Sequence, residues 1–198
     1  PQLQFEGVLG PKLCALGGRQ LFDMQRLAVM GIVDPLKRLP ELLSMRRQLI
    51  KHFTENPPDV FFGIDAPDFT LGIEKALRKK NIKAVHYVGP SVWAWRQGRI
   101  KGIKKSVDLM LTLFPFEKDF YDKHGVPAVT VGHSLADSIP MEVDREAARK
   151  QLGLNDAPTL AILPGSRMSE VSHMAALYLQ AAQKLKQKLP HLQFVVPL

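Results

Sequence analysis

Residues 59–88 read DVFFGIDAPDFTLGIEKALRKKNIKAVHYV, and this stretch decides the fold. Two short apolar runs, at 59–64 and 82–88, enclose a longer amphipathic segment. Short apolar runs that end at Gly, Pro or charged residues are typical of strands buried on both faces. A strand, a helix and a second strand in this order predict a right-handed crossover between parallel strands.

The same alternation continues to the end of the chain. Further apolar runs lie at residues 107–113, 128–131, 159–163 and 193–197, and candidate helices lie at 71–80, 96–105, 117–124, 145–152 and 170–189. The pattern predicts an α/β fold of Rossmann-like, doubly wound parallel sheets. It loosens over residues 135–158, so we expect one domain at 1–156 and a second at 157–198. A single continuous sheet is the alternative.

Composition excludes several classes of protein. The 198 residues are 45% hydrophobic and 23% charged, as in ordinary globular proteins, which excludes wholly disordered and fibrous chains. Lys and Arg outnumber Asp and Glu by 27 to 19, and the net charge of +8 favours phosphate-bearing substrates, nucleic acid or an acidic lipid surface as partners. The one cysteine, Cys14, cannot form an internal disulfide, which favours a reducing, cytoplasmic location. No apolar run approaches the ~20 residues of a membrane span.

Both ends of the sequence bear on how much of a protein it represents. The chain begins at Pro1 without an initiator methionine. It closes on the apolar run at 193–197, with no helix after it to cover a buried strand. We therefore expect the chain to be a piece of a longer protein.

Two carboxylates follow the predicted strand at 59–64. In open parallel sheets, ligands bind beyond the carboxyl ends of the strands, and Asp65 and Asp68 stand at such an end. Asp68 is placed to cap a helix that begins near Phe69. Asp65 has no evident structural duty, so it is the better candidate for a general base acting on a hydroxyl group. A structural role is the alternative.

Residues 89–96 read GPSVWAWR and follow the predicted strand at 82–88. Both tryptophans of the chain, Trp93 and Trp95, stand here beside Arg96, in a turn that can stack on a sugar or line an acyl chain. Packing of one tryptophan between domains is the alternative. Five basic residues then occur within ten positions with no acid among them: Arg96, Arg99, Lys101, Lys104 and Lys105. They form either a solvated helix face or a surface that attracts a phosphate.

Residues 160–167 read LAILPGSR, a strand that leads into a glycine-containing turn before a long helix. Free backbone N–H groups and the helix dipole favour a phosphate at such a turn. Gly165 allows close approach of the backbone, Ser166 can donate, and Arg167 offers several donors for a diphosphate. An ordinary strand-to-helix turn, with Ser166 as the helix cap, is the alternative.

An apolar stripe runs through residues 31–53 at helical spacing. Basic residues accompany it, and Glu41 is the one acid between Lys37 and Lys51. This combination is typical of an interfacial helix that is attracted to anionic lipid. Pro35 and Pro40 argue against one unbroken helix before Glu41. A helix that packs its apolar side into the core is the alternative.

The histidines are less informative. His86 lies inside a predicted strand, where a core histidine with satisfied hydrogen bonds is the usual case. His133 stands at a strand end and can touch a ligand. No spacing of His, Cys, Asp or Glu indicates a metal site, and neither a Walker A loop nor a Gly-x-Ser-x-Gly elbow is present.

Six segments taken together resemble one known family. They are, in chain order, LAVMGIV at 27–33, GIDAPDF at 63–69, PSVWAWR at 90–96, PFEK at 115–118, GHSLAD at 132–137 and LPGSR at 163–167. On these segments the chain resembles the lipid-A-disaccharide synthases, glycosyltransferases of the GT-B type, over nearly its whole length. That family is similar to other GT-B enzymes in having two Rossmann-like domains that face each other across a cleft.

The resemblance implies a reaction and a location. The reaction is an inverting transfer of 2,3-diacylglucosamine from UDP-2,3-diacylglucosamine to 2,3-diacylglucosamine 1-phosphate, which gives UDP and the β(1→6) lipid A disaccharide 1-phosphate. The implied location is peripheral, on the cytosolic face of the Gram-negative inner membrane, within lipopolysaccharide synthesis. No cofactor, no metal and no nucleic-acid partner is implied, and the oligomeric state stays open, with a homodimer of the full-length protein included.

The resemblance also implies roles for particular residues. Asp65 becomes the base for the acceptor's 6-hydroxyl group, although Asp68 is not excluded from that role. Gly165, Ser166 and Arg167 become the clamp on the UDP diphosphate. The implied substrate-binding residues are Asp68, Ser91, Trp93, Trp95, Arg96 and His133, and the implied membrane-docking residues are Val33, Leu36, Leu39, Leu42 and Leu43.

Departures from the family pattern limit what this chain is expected to do. The family's first strand, with its Gly-Glu-Ala-Ser-Gly-Asp loop, would precede Pro1, and its Ser-Gly-Thr loop, which helps to hold the nucleotide, would follow Leu198. We therefore expect this chain by itself to lack transferase activity. The alternatives are another UDP-sugar-dependent GT-B enzyme and a non-catalytic basic module that binds membranes.

Overall fold

The structure is a computed structural model that describes residues 3–27, 33–166 and 168–197, with the backbone alone for 33–37 and 169. The chain divides into two compact units, Pro1–Ser138 and Ile139–Leu198. Residues 139–156 belong to the second compact unit. The domain limits of 1–156 and 157–198 stay a prediction.

The first unit alternates strands and helices, and all of its described strand pairs are parallel. Its elements are β1 (Glu6–Leu9), α1 (Pro11–Ala15), β2 (Arg19–Asp23), α2 (Val33–Glu55), β3 (Val60–Ile64), α3 (Pro67–Arg78), β4 (Lys83–Tyr87), α4 (Ile100–Lys104), β5 (Leu109–Thr112), α5 (Pro115–Lys123), β6 (Ala128–Thr130) and α6 (Ser134–Ser138). Strands β1 and β2 form a separate pair, and the other four form one sheet in the order β3-β4-β5-β6. The prediction of an α/β fold with parallel sheets is confirmed.

The register of the four-stranded sheet brings the ends of its strands to a common edge. Gly63 of β3 pairs with His86 of β4, and Tyr87 pairs with Leu111 of β5. Leu111 in turn pairs with Val129 of β6. Because the strands are parallel, their carboxyl ends all lie at one edge of the sheet, and the loops that follow them lie beyond it.

Two apolar clusters stabilise this unit. One joins β5 and β6 to the helices α4 and α5 and to the loop after β4, through Val92, Ile100, Ile103, Val107, Met110, Tyr121, Val126 and Ala128. The other joins α2 to α3 through Met45, Leu49, Phe53, Ile73, Leu77 and Ile82. Burial of each large apolar side chain stabilises the fold by about 1.5–3 kcal/mol relative to exposure, so these clusters fix the helices on the sheet.

Helix α2 is continuous from Val33 to Glu55 with Pro40 inside it, so the predicted break before Glu41 is wrong. Pro35 lies in the first turn, where backbone N–H groups have no hydrogen-bond partner within the helix, so the N–H that proline lacks is not needed. Pro40 removes one interior hydrogen bond, but the helix surface beyond it is buried in the α2–α3 cluster. Tertiary packing of this kind supplies most of a helix's stability in a protein.

Ion pairs support α2 beside Pro40. The Glu41 carboxylate lies 2.8 Å from a guanidinium nitrogen of Arg26 and 3.2 Å from one of Arg38. Hydrogen bonds from Arg38 and Arg26 lower the pKa of Glu41 below its ordinary value. The pair with Arg26 ties the helix to the 3₁₀ turn at Met24–Leu27, whereas the pair with Arg38 lies within α2 and spans Pro40.

A buried pair of polar side chains joins α3 to β4. Oε1 of Glu74 lies 2.7 Å from Nδ1 of His86, and both side chains are fully buried. Oε2 of Glu74 and Nε2 of His86 have no hydrogen-bond partner in the described part of the chain. Burial raises the pKa of Glu74 above its ordinary value. The expectation of a satisfied core histidine therefore holds for one ring nitrogen of His86 and fails for the other.

Gly63 of β3 lies against this pair. A Cβ atom built on Gly63 would stand 1.8 Å from Oε1 of Glu74 and 3.2 Å from Nδ1 of His86. The absence of a side chain at Gly63 is therefore what lets the carboxylate and the imidazole meet under the strand.

The second unit contains α7 (Arg145–Gln151), β7 (Thr159–Ala161), α8 (Met168–Lys188) and β8 (Gln193–Val195). Its two strands pair in parallel, with Thr159 opposite Gln193. The Arg149 guanidinium donates a hydrogen bond of 2.7 Å to the Ala157 carbonyl, which ties α7 to the start of β7. The strand, turn and long helix that the sequence predicts at 159–189 are present.

Candidate active site

Four loops meet at the carboxyl edge of the four-stranded sheet. Strand β3 leads through residues 65–66 into α3, and β4 leads through 88–96 into a 3₁₀ turn. Strand β5 leads through 113–114 into α5, and β6 leads through 131–133 into α6. Open parallel sheets bind their ligands beyond this edge. The fold therefore gathers there most of the residues that the sequence singled out in this unit.

The backbone of two of these loops is strained. Five non-glycine residues in the described part of the chain have positive φ, and four of them lie here: Asp65 at 50°, Ala66 at 45°, Val88 at 66° and Arg96 at 54°. The left-handed region costs an L-residue about 1–2 kcal/mol, and a β-branched residue such as Val88 rarely adopts it. Strain of this kind clusters at functional sites, so the backbone points to this edge independently of the side chains.

Asp65 stands immediately after β3 with an exposed side chain. Its backbone N–H donates to the Tyr87 carbonyl at 2.9 Å, and its carbonyl accepts a hydrogen bond from the Thr70 hydroxyl at 3.0 Å. The carboxylate has no hydrogen bond or ion pair to any of residues 3–27, 33–166 and 168–197. A fixed main chain thus carries a carboxylate that can accept a hydrogen bond or a proton from a ligand, and its role as a base stays a prediction.

Asp68 does not cap α3, so that prediction is wrong. The helix begins at Pro67, with Ala66 at the cap position, because proline suits the first helical position. Asp68 instead lies in the first turn, where its negative charge complements the helix dipole. Its Oδ1 accepts a hydrogen bond of 2.5 Å from the Arg99 guanidinium. Asp68 is therefore engaged, whereas Asp65 is not.

Asp68 shares a cavity with several predicted substrate-binding residues. The cavity has a volume of about 220 Å³ and is lined by Pro67, Asp68, Pro90, Ser91, Val92, Trp95, Arg96 and Arg99. The Arg96 guanidinium lies 4.4 Å from the centroid of the Trp95 ring, a cation–π contact. Ser91, Trp95 and Arg96 are thus brought together with Asp68, and their substrate-binding role stays a prediction.

Trp93 is not one of the residues that line this cavity. It packs edge-on against Phe116 at 4.9 Å between ring centroids, and Phe116 stacks on Phe114 at 5.5 Å. These three rings, which we name the aromatic cluster, are all partly exposed. The Glu117 carboxylate holds their loop, since Oε2 accepts 3.1 Å hydrogen bonds from the N–H groups of Leu113 and Phe114.

His133 is engaged in local structure. Its Nδ1 accepts a hydrogen bond of 3.1 Å from the backbone N–H of Leu135, at the start of α6. It follows β6 at the same sheet edge, but it is not among the residues that line the cavity. A contact between His133 and a substrate stays a prediction.

The predicted diphosphate turn lies in the second unit. Gly165 has φ of 132°, and a Cβ atom there would stand 2.4 Å from Cβ of Glu170, so the turn requires glycine. The Ser166 N–H donates to Oε2 of Glu170 at 3.1 Å. The acid of the following helix turn therefore occupies this N–H, and the diphosphate-binding role of Gly165 and Ser166 stays a prediction. Arg167 lies outside the described residues.

The apolar stripe of α2 divides between two environments. Leu42 is half-buried and packs against the α2–α3 cluster, which favours a core role, and its membrane-docking role stays a prediction. Leu39 is 46% exposed, and Leu43 is half-buried. The side chains of Val33 and Leu36 lie outside the described ones. Docking of this helix at a membrane stays a prediction.

Sequence reasoning missed three parts of the site. Arg99 was noted only as one of a run of basic residues, although its spacing of three from Arg96 places both on one side of a helical turn. Phe116 belonged to a recognised segment, but nothing in its spacing indicated a contact with Trp93. The Glu74–His86 pair carries no sequence signal, since the two residues meet through the packing of α3 on β4.

The described residues, with gaps at 28–32 and 167, contain no group of three or more His, Cys, Asp or Glu side chains that could hold a metal ion. In the same part of the chain, no helix is both long enough and apolar enough to cross a membrane.

Comparison with known proteins identifies relatives of the chain. A family model described as lipid-A-disaccharide synthetase matches residues 1–198. The whole chain is 57% identical to the lipid-A-disaccharide synthase of Cellvibrio japonicus, 54% to that of Saccharophagus degradans and 56% to that of Pseudomonas putida. In each case it spans 52% of the relative, about half of its length. The chain belongs to the lipid-A-disaccharide synthetase family.

Proposed function

We propose that the protein containing this chain transfers 2,3-diacylglucosamine from UDP-2,3-diacylglucosamine to 2,3-diacylglucosamine 1-phosphate, with release of UDP. The observation that carries the proposal is the family match over residues 1–198. The exposed carboxylate and the cavity at the carboxyl edge of the sheet add support, because they supply a base and a binding place for an acceptor.

Asp65 acts as the base in this proposal. The acceptor's 6-hydroxyl group gives its proton to the Asp65 carboxylate as its oxygen forms a bond to the anomeric carbon of the donor. The bond from that carbon to the UDP oxygen breaks, and its electron pair leaves with the diphosphate. Attack from the side opposite the leaving group inverts the anomeric configuration and gives the β(1→6) linkage. The main-chain hydrogen bonds of Asp65 to Tyr87 and Thr70 support this role, because they fix the backbone from which the carboxylate extends.

Replacing Asp65 by Asn in the full-length protein tests the assignment. The amide keeps the size of the side chain but does not take up the proton, and a positioned general base contributes about 10²–10⁴-fold to rate. We expect kcat to fall by that factor, with KM for donor and acceptor changed by less than about threefold. The measurement is steady-state kinetics with each substrate varied in turn.

Asp59→Asn is the matched control, because Asp59 is an exposed aspartate immediately before the same strand. It should keep wild-type turnover. An Asp65→Asn protein with more than a tenth of the wild-type kcat would show that the base is another group, and Asp68→Asn would then be measured. Absence of turnover by the wild-type protein with these substrates would contradict the proposed reaction itself.

The leaving diphosphate is assigned to Gly165, Ser166 and Arg167. A cation and backbone N–H groups near the leaving group would stabilise the charge that develops on UDP. Because Glu170 now holds the Ser166 N–H, the proposal requires this carboxylate to release it when the diphosphate binds. Gly165 supports the assignment, since its positive φ and missing side chain let the backbone turn tightly against Glu170 at the start of α8.

Membrane docking is the further part of the proposal. The substrates carry acyl chains, and exposed Leu39 with half-buried Leu43 would enter the lipid headgroup region on the cytosolic face of the inner membrane. Basic side chains of α2 would face anionic lipid there. Homodimer formation by the full-length protein is likewise a proposal.

Activity and vesicle-binding assays distinguish the proposed function from the two alternative functions. Another UDP-sugar-dependent GT-B enzyme would use a water-soluble acceptor in place of the acylated one. A non-catalytic basic module would bind vesicles and show no turnover that Asp65→Asn could remove.

A further inference from the structure

The cavity beside Asp65 contains an unusual set of side chains. Two guanidinium groups, of Arg96 and Arg99, and the hydroxyl of Ser91 line it within one loop and the 3₁₀ turn that follows. Its volume is about 220 Å³, whereas a water molecule in the liquid occupies roughly 30 Å³. The cavity can therefore hold a group several times the size of water, and three of its four charged or hydroxyl-bearing lining residues, Ser91, Arg96 and Arg99, can donate hydrogen bonds.

The charge balance of the cavity favours an anion. Asp68 is its one acidic lining residue, and Asp65 is not among the residues that line it. The Asp68 side chain is 87% exposed and its partner Arg99 is 31% exposed. An ion pair this exposed contributes little to stability, so a ligand with more charge than a carboxylate can displace Asp68 from Arg99.

Arg96 is already oriented for such a ligand. Its guanidinium lies over the Trp95 ring, and its side chain has no acidic partner in the described ranges, from which 28–32 and 167 are missing. Stacking engages the face of the guanidinium and leaves its N–H groups, which point outward in the plane, for an anion. Arg96 and Arg99 together thus offer two forks of donors to one bound group.

We propose that this cavity binds the phosphate monoester of the acceptor, with Arg99 and Arg96 donating to the phosphate oxygens and Ser91 donating from its hydroxyl. The inference rests on the proposed function, since it assigns a place to a group of that acceptor. A phosphate monoester carries close to two negative charges at neutral pH, which is the property that lets it replace Asp68. Pro67 lines the cavity two residues after Asp65, so the rest of the same acceptor lies at the loop that carries the base.

Arg99→Ala in the full-length protein tests the assignment with two acceptors, 2,3-diacylglucosamine with and without its 1-phosphate. Loss of a charge-assisted bidentate contact is expected to raise KM for the phosphorylated acceptor about tenfold to hundredfold. KM for the donor should change by less than about twofold, and the loss with the unphosphorylated acceptor should be at least about fivefold smaller than with the phosphorylated one. Arg99→Lys keeps the positive charge but lacks the bidentate donors of the guanidinium, so KM for the phosphorylated acceptor should lie between those of the wild type and Arg99→Ala.

Lys101→Ala is the control for general charge attraction, because Lys101 belongs to the same basic run and does not line the cavity. An equal rise of KM in Lys101→Ala and Arg99→Ala would overturn the inference. It would mean that the whole basic run attracts the phosphorylated acceptor by its charge, without a specific contact to Arg99. An equal loss with both acceptors would also overturn it, since the phosphate would then be irrelevant to Arg99.

The donor also carries phosphate, and the kinetics separate the two sources. A rise of the donor's KM in Arg99→Ala, with the acceptor's KM unchanged, would mean that the UDP diphosphate occupies the cavity, and it would overturn the acceptor assignment. All three of these outcomes leave wild-type turnover intact and so leave the proposed function standing. Absence of wild-type turnover would remove both the proposed function and this inference.

Discussion

The fully buried Glu74 and His86 both destabilise the fold, through polar atoms without a partner, and stabilise it, through the hydrogen bond between them. Each places one polar atom in a hydrogen bond of 2.7 Å and leaves another, Oε2 or Nε2, without a partner in the described part of the chain. A buried polar atom without a partner destabilises a fold by about 1–3 kcal/mol. The benefit is position, because the pair fixes α3 against β4 directly beneath the loop of Asp65.

Glu74→Gln should change how the free energy of unfolding depends on pH. Burial raises the pKa of Glu74 above its ordinary value of 4.5 in the folded protein. A carboxyl with a raised folded-state pKa contributes its full stability below pH 4.5, and this contribution is lost as pH rises through the raised pKa. Within that window the wild type should lose up to about 1.4 kcal/mol per pH unit relative to Glu74→Gln, as measured by urea unfolding at several pH values.

Glu55→Gln serves as the control for this comparison, since Glu55 is exposed at the end of α2. It should leave the pH dependence of the wild type unchanged. A Glu74→Gln protein whose unfolding free energy runs parallel to that of the wild type across pH 4–8 would contradict the prediction.

For single residues, the sequence predicts which positions belong to the candidate site better than it predicts which side chains contact each other. Asp65 follows from its place after an apolar run, because strand ends are visible in the pattern. Asp68 was misassigned as a cap, because its partner Arg99 lies 31 positions away in the chain and only the packing of α3 beside the 3₁₀ turn brings them together. The contact of Glu170 with the Ser166 N–H was not predicted for a different reason. Glu170 is only four residues further along the chain, but no sequence pattern shows that its carboxylate turns back to the preceding turn.

Short interactions at helix starts decide the shape of the site at the scale of elements. Helix α5 begins at Pro115, and its third residue, Glu117, accepts hydrogen bonds from two backbone N–H groups of the preceding loop. The aromatic cluster of Trp93, Phe114 and Phe116 is built on this loop. The carboxylate therefore stabilises the helix start and the surface beside the cavity together.

Glu117→Ala should destabilise the protein by about 1–3 kcal/mol, because two backbone N–H groups lose their acceptor at a site that is 9% exposed. Thermal or urea unfolding measures the loss, and a change in tryptophan fluorescence would report the effect on Trp93. Glu146→Ala, at an exposed first-turn position of α7, is the control and should stay within about 0.5 kcal/mol of the wild type. A Glu117→Ala protein as stable as that control would contradict the role of the carboxylate.

The same scale explains which elements the sequence predicts. Strands β3 to β8 follow from apolar runs, and the long helices follow from their periodicity. The prediction for α2 failed at Pro40, because local propensity disfavours an interior proline and the packing of Met45, Leu49 and Phe53 outweighs it. Strands β1 and β2, of four and five residues, give no periodic signal of their own, and they are held by pairing with each other and by packing against the α2–α3 cluster.

Charge is unevenly distributed over the whole molecule. Residues 1–138 contain 20 Lys and Arg against 14 Asp and Glu, whereas residues 139–198 contain 7 against 5. Most of the net charge of +8 therefore lies in the unit that contains α2 and the cavity lined by Asp68, Arg96 and Arg99. A basic surface beside exposed leucines favours adsorption to anionic lipid through electrostatic attraction and through burial of apolar side chains. Salt screens the electrostatic attraction and does not screen the apolar contribution.

Leu39→Ser combined with Leu43→Ser should weaken the binding of the full-length protein to anionic vesicles about tenfold or more, since burying each leucine is worth up to about 1.5–3 kcal/mol. Leu152→Ser, at a 60% exposed leucine of the other unit, is the control and should bind like the wild type. Vesicle sedimentation at roughly 0.1 and 0.5 M salt completes the test, because screening should weaken the wild type further. Unchanged sedimentation of the double variant would show that α2 does not dock.

The left-handed pair Asp65–Ala66 has a consequence for how the protein responds to heat. Its conformation is held by neighbours, namely the hydrogen bonds to Tyr87 and Thr70, and not by its own preferences. Local opening needs less free energy than separation of the sheet, and it begins where the chain is strained and exposed. On warming, we expect the loop to relax while β3 to β6 stay paired, so any function that depends on the position of Asp65 would be lost at a temperature where the sheet is still folded.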